Sequence, residues 1–114
     1  VITDTAFFAA TDRVLDELDR AIDHLPARSH VDDDWNIHEG ILEIEGADCG
    51  KVIVNRHAPN REIWVAAKSG GYHFRADSGR WKDTRGGTEL AASLTGILAA
   101  EAGLQVTLPP LEAF

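Results

Sequence analysis

The chain has 114 residues, 44% of them hydrophobic and 26% charged, a globular balance that fits one domain over residues 1–114 with a core built without disulfides. Nineteen acids against eleven Lys and Arg leave a formal charge of -8, which disfavours nucleic acids and anionic membranes and favours cations and basic protein surfaces as partners. A single cysteine, Cys49, excludes an internal disulfide framework and any four-cysteine metal site.

From Asp4 to Leu25 the apolar residues Phe7, Phe8, Val14, Leu15, Leu18, Ala21, Ile22 and Leu25 recur at three- and four-residue steps, which predicts an amphipathic helix. Thr3 or Asp4 can cap its start, and Pro26 stops it. Asp12, Asp16, Asp19 and Asp23 fall on its opposite side. A polar connection then ends in Asp32, Asp33 and Asp34. Residues 1–34 carry nine acids against three bases, a net of -6, so one end of the chain holds most of the charge.

The middle reads as short strands. Residues 35–38 form a weak first one, followed by Ile41 to Glu45, Lys51 to Arg56 and Glu62 to Lys68. The stretch Ser69-Gly70-Gly71 is a turn, and Tyr72 to Ala76 with Arg80 to Asp83 forms a hairpin. Such short turns favour an antiparallel meander, because parallel neighbours need long crossovers. A second helix runs from Thr88 to about Ala102, with Leu90, Leu94, Ile97 and Leu98 on one face and Gly103 ending it. The tail from Leu104 is a short edge strand limited by Pro109 and Pro110. The fold class is therefore α+β, with two helices on one face of an antiparallel sheet and the other sheet face in water.

In Glu62 to Lys68, Ile63, Val65 and Ala67 share one face, and Glu62, Trp64, Ala66 and Lys68 the other. Two charged residues mark the second face as solvated. Trp64 is then either a protein-binding anchor or an aromatic packed on a neighbouring Arg or Lys stem. Trp81 is open between core and edge. The five histidines are too dispersed for a zinc signature, and His57 and His73 read as ordinary surface or boundary residues.

No nucleophile elbow, phosphate loop or zinc-protease motif is present. No apolar run approaches membrane-spanning length, and no secretory pattern opens the chain, which gives a cytoplasmic, reducing compartment as the expectation. The carboxylate pairs along the first helix are hard donors suited to weak, unselective cation binding. Composition alone favours reading them as a solvated polar face.

Val52-Ile53-Val54-Asn55-Arg56, Pro59, Glu62-Ile63-Trp64-Val65-Ala66-Ala67-Lys68, Gly70-Gly71-Tyr72-His73-Phe74, Trp81 and Asp83, together with the acidic helix, resemble the frataxin family in its bacterial form. The resemblance spans Phe7 to about Val106 and implies a frataxin-like α-β sandwich. It implies an accessory role in iron-sulfur cluster assembly, with ferrous or ferric iron (other divalent cations remaining open) bound weakly on an acidic ridge. It also implies docking to a cysteine desulfurase and an iron-sulfur scaffold protein. The ridge maps to Asp12, Asp16, Glu17, Asp19, Asp23, Asp32, Asp33 and Asp34, and the partner surface to Asn55, Arg56, Pro59, Trp64 and Lys68. A monomer is expected, with metal-induced oligomers left open. The alternatives are a ferroxidase or iron-storage protein, and a metal-independent binding module steered by acidic charge. The sequence departs from the family pattern at residues 46–50 with Cys49, at Arg20 and Arg28, at His38-Glu39, and at Pro109-Pro110.

Overall fold

The computed structural model describes residues 3–23, 40–45, 51–103 and 105–113. The expected strand at 35–38 and the departures at 28, 38–39 and 46–50 lie outside them.

Helix α1 spans Asp4–Asp23. Thr3 is its cap: the Thr3 hydroxyl accepts the Ala6 amide at 3.1 Å. Asp4 instead forms an ion pair with Arg61. Phe7, Val14, Leu15 and Leu18 are buried, as their spacing predicts, and Ala10 is buried with them. Thr11 is buried among them because its hydroxyl donates to the Phe7 carbonyl at 3.0 Å. Phe8 departs from the expected apolar stripe. It is 39% exposed, and the Arg56 guanidinium lies 4.4 Å from its ring centroid.

The sheet comprises β1 (Ile41–Glu45), β2 (Lys51–His57), β3 (Glu62–Ala67), β4 (Gly70–Asp77) and β5 (Arg80–Asp83), antiparallel and in chain order. Gly70 and Gly71 pair with Ala67 and Ala66, so they open β4, and the β3–β4 turn is only Lys68-Ser69. Glu101 secures that turn, accepting the Ser69 amide at 2.9 Å and the Ser69 hydroxyl at 2.5 Å. Between β4 and β5, Ser78 and Gly79 have φ of 54° and 82°, the twist a two-residue hairpin needs.

One sheet face presents Leu42, Ile44, Val52, Val54, Ile63, Val65, Phe74 and Trp81 to the core. Both helices cover this face. Helix α2 (Leu90–Ile97) buries Leu90, Leu94 and Ile97 and continues as a π-helical turn, Leu98–Ala102, stopped by Gly103 at φ 67°. It starts two residues later than Thr88, because β5 holds its approach. Asp83 donates to the Thr88 carbonyl at 2.8 Å, and Glu89 bridges to Lys82.

Trp81 is fully buried and packs edge-on to Phe7, with ring centroids 6.1 Å apart. Its indole donates to the Glu112 carbonyl at 3.1 Å, and the Ala113 amide donates to Gly79 at 2.9 Å. The tail reaches β5 through the single bridge Arg80–Glu112, and Leu111 and Ala113 close over the core.

Candidate functional site

Two surfaces carry the residues singled out from the sequence. The first is the solvent side of α1. Asp12, Asp16 and Glu17 are exposed there and Asp19 is half-buried, with Asp12, Asp16 and Asp19 about one helical turn apart in succession. Asp23 ends the same helix, with its side chain outside the described residues. Asp32, Asp33 and Asp34 also lie outside them. Among the described residues no three His, Cys, Asp or Glu side chains converge closely enough to hold a metal ion. The carboxylates of this flank are hard oxygen donors of the kind a cation takes.

The second surface is the outer face of the sheet. Strand pairing sets Asn55, Trp64 and His73 in one row across it, and His57, Glu62 and Arg75 in the next. The Trp64 indole lies between two imidazoles. His57 stacks on one side at 3.7 Å between centroids and 9° between planes, and His73 on the other at 4.4 Å and 7°. Trp64 is half-buried between these histidines, and neither of them is the Arg or Lys stem of one of the two readings the sequence offers.

Glu62 also departs from expectation. Its face is not simply solvated, since Glu62 is only 3% exposed. Its Oε1 accepts the Trp64 Nε1–H at 2.8 Å, and its Oε2 accepts from Arg75 Nη2 at 2.6 Å. His73 Nδ1 stands 3.8 Å from Oε1. Burial pushes the Glu62 carboxyl up, but the Trp64 and Arg75 hydrogen bonds and the Arg75 and His73 charges outweigh it and hold the group below its ordinary value of 4.5. Next to this cluster the small residues Ala66 and Gly71 leave a hollow of about 340 Å³, walled by Ile41, Ile53, Asn55, Trp64 and His73. A larger hollow of about 730 Å³ lies between α2 and the tail, but Glu89 is its only titratable wall.

The structure divides the expected partner residues. Asn55 and Trp64 share the outer face, Pro59 is exposed in the β2–β3 turn, and Lys68 is exposed in the β3–β4 turn. Arg56 alternates to the helix side. Its Nη1 donates to Asp12 Oδ1 at 2.8 Å, and its side chain is 12% exposed. Sequence reasoning missed Glu62, His57 and His73. Their i, i+2 and cross-strand relation to Trp64 was the available signal.

The frataxin-like domain model matches residues 1–104. This chain belongs to the frataxin family. It is 42% identical over 107 residues to the iron-sulfur cluster assembly protein CyaY of Cupriavidus metallidurans, covering 94% of this chain and 96% of that one. It is also 42% identical over 106 residues to the CyaY of Dechloromonas aromatica, covering 92% and 97%. The solved frataxin of Psychromonas ingrahamii superposes with a TM-score of 0.80 at 25% identity, over 93% of this chain and 97% of that one. The trimeric frataxin of Saccharomyces cerevisiae, in its ferrous complex, shares the fold at a TM-score of 0.66 and 24% identity, over 91% of each chain. The frataxin sandwich thus places the acidic flank of α1 and the Trp64 face on different sides of one domain.

Proposed function

We propose that this frataxin is an iron-binding accessory protein of iron-sulfur cluster assembly. It takes ferrous or ferric iron weakly on Asp16, Glu17 and Asp19, with Asp12, Asp23 and Asp32 to Asp34 as further donors. It docks a scaffold protein on the face of Asn55 and Trp64, with Pro59 and Lys68 at the rim, and a cysteine desulfurase through its acids. The observation that carries the reading is the row of exposed carboxylates on α1 in a chain whose relatives are iron-sulfur cluster assembly proteins along nearly its whole length. Neighbouring carboxylates repel on a helix, so a bound cation relieves that repulsion and raises stability by linkage.

Anaerobic titration with ferrous iron, followed by amide resonances, tests it. Changes should concentrate on residues 12–23 and on 32–34, and be reduced in Asp16→Asn. Unmoved resonances on this flank would sink the iron-binding part.

A second reading has its own support. The exposed acids of α1 would steer a basic partner with or without metal. Asp16→Asn and Asp19→Asn that lost desulfurase binding but kept iron would decide for it. Dioxygen uptake on adding ferrous iron would instead favour a ferroxidase.

A further inference from the structure

We propose that Glu62 is the positioning residue of the docking face: it meets no partner itself but sets the orientation of the Trp64 indole that does. The proposal rests on the reading that this face binds a protein. Glu62 and Trp64 are two apart on β3 and so project from the same side of the strand. Side chains so placed normally stand parallel, about 7 Å apart along the strand. The 2.8 Å bond from Nε1 to Oε1 requires the indole to lean toward Glu62. Arg75, paired with Glu62 across β3 and β4, holds the other carboxylate oxygen at 2.6 Å and stops the carboxylate from turning away.

The imidazoles complete the clamp. His57 is the register partner of Glu62 and His73 that of Trp64, so both come from neighbouring strands and close on the two faces of a ring already tilted. With its faces covered and its N–H engaged, the indole has its remaining edge to offer, and Trp64 lines the hollow beside Ile53 and Ala66. An anchor held in one rotamer loses little freedom when a partner seats on it, which is the source of affinity in a preorganised site. Glu62, 3% exposed beneath these side chains, cannot make the contact itself. An ion pair whose arginine is 62% exposed is in general a weak stabiliser of a fold. What this one supplies is direction.

The experiment compares Glu62→Ala, Glu62→Asp and Glu62→Gln with Trp64→Ala in the full chain. Solvent exchange of the Trp64 indole N–H is followed by NMR, and affinity for the iron-sulfur scaffold protein by calorimetry. Glu62→Asp keeps the charge but is a methylene too short to reach the indole, whereas Glu62→Gln keeps the reach and one acceptor oxygen for the indole while giving up the Arg75 bond, since its amide nitrogen only donates. The indole N–H should exchange about tenfold faster in the Ala and Asp variants, with scaffold affinity falling about tenfold, and Gln should restore both to within about threefold of the parent. If Ala does not fold, the Asp-against-Gln contrast decides alone. Unchanged indole exchange in the Asp variant overturns the proposal. So does faster exchange with full affinity, provided Trp64→Ala loses binding, and the docking reading then survives. If Trp64→Ala binds the scaffold like the parent, the docking reading fails and the proposal falls with it.

Discussion

Arg56 and Asp12 are ion-paired at 2.8 Å, which ties β2 to the acidic flank of α1. The guanidinium also lies over Phe8, 4.4 Å from the ring centroid, and is within 3.4 Å of the Thr11 hydroxyl. The pair is therefore unequal: Arg56 is largely covered and Asp12 is 54% exposed. Asp12→Asn should cost about 0.2–1 kcal/mol, as for an exposed pair, and Arg56→Ala about 1–2 kcal/mol, because it also loses the Phe8 contact. Urea unfolding of both single variants and the double variant checks the coupling. The same bond occupies a carboxylate, so Asp16→Asn should weaken ferrous iron binding more than Asp12→Asn does.

Gly40 stands under the same arginine. Its φ is 83°, and a Cβ there would come within 2.7 Å of Arg56 Nε and 2.9 Å of Arg56 Cβ. The second contact cannot be relieved by rotating the guanidinium. Gly40→Ala should cost about 1–3 kcal/mol by thermal or urea unfolding.

Glu62 gives a pH dependence of definite sign. Its folded carboxyl titrates below 4.5, so on acidification the unfolded chain takes the proton first. The stability Glu62 supplies is complete above that ordinary value and is lost as pH falls through the folded one. Glu62→Gln should be less stable than the parent at pH 7, and the difference should shrink toward pH 3. Urea curves at the two pH values measure it, and a gap that widened on acidification would reverse the assigned direction.

His57 carries a buried Nδ1 with no hydrogen-bond partner among the described residues. Phenylalanine keeps the stack on Trp64 and removes the unmet polar atom. His57→Phe should raise stability by about 0.5–1.5 kcal/mol, seen as a melting point several degrees higher.

Leu111 is 3% exposed and belongs to the tail segment that closes over the core near Trp81. Truncating it leaves a cavity at the end of β5. Leu111→Ala should cost about 2–4 kcal/mol, checked by calorimetric melting.

Much of the fold was legible because it depends on periodicity. The three- and four-residue steps on α1 and the alternation on β2 and β3 leave little choice about what faces inward. Phe8 escaped that logic because an arginine from another strand covers it, a contact no local pattern encodes. Thr88 and Glu89 read as helix, yet backbone bonds to β5 hold them outside it. On the site, Trp64 was visible as an aromatic on a polar face. Its histidine neighbours were not, since both come from other strands. Glu62 looked solvated because charge usually is, and its burial needs Arg75 and the indole together. The acidic row on α1 was legible as charge, but its tie to Arg56 required the register between helix and sheet.

The different settings of Trp81 and Trp64 give the molecule two optical channels. Trp81 is sealed in the core and hydrogen-bonded to the tail, so its emission should follow unfolding. Trp64 sits half-covered between imidazoles on the outer face, so its emission should follow occupancy of the sheet face. With Trp35 replaced by phenylalanine, one fluorescence trace could separate loss of the fold from an event on its surface.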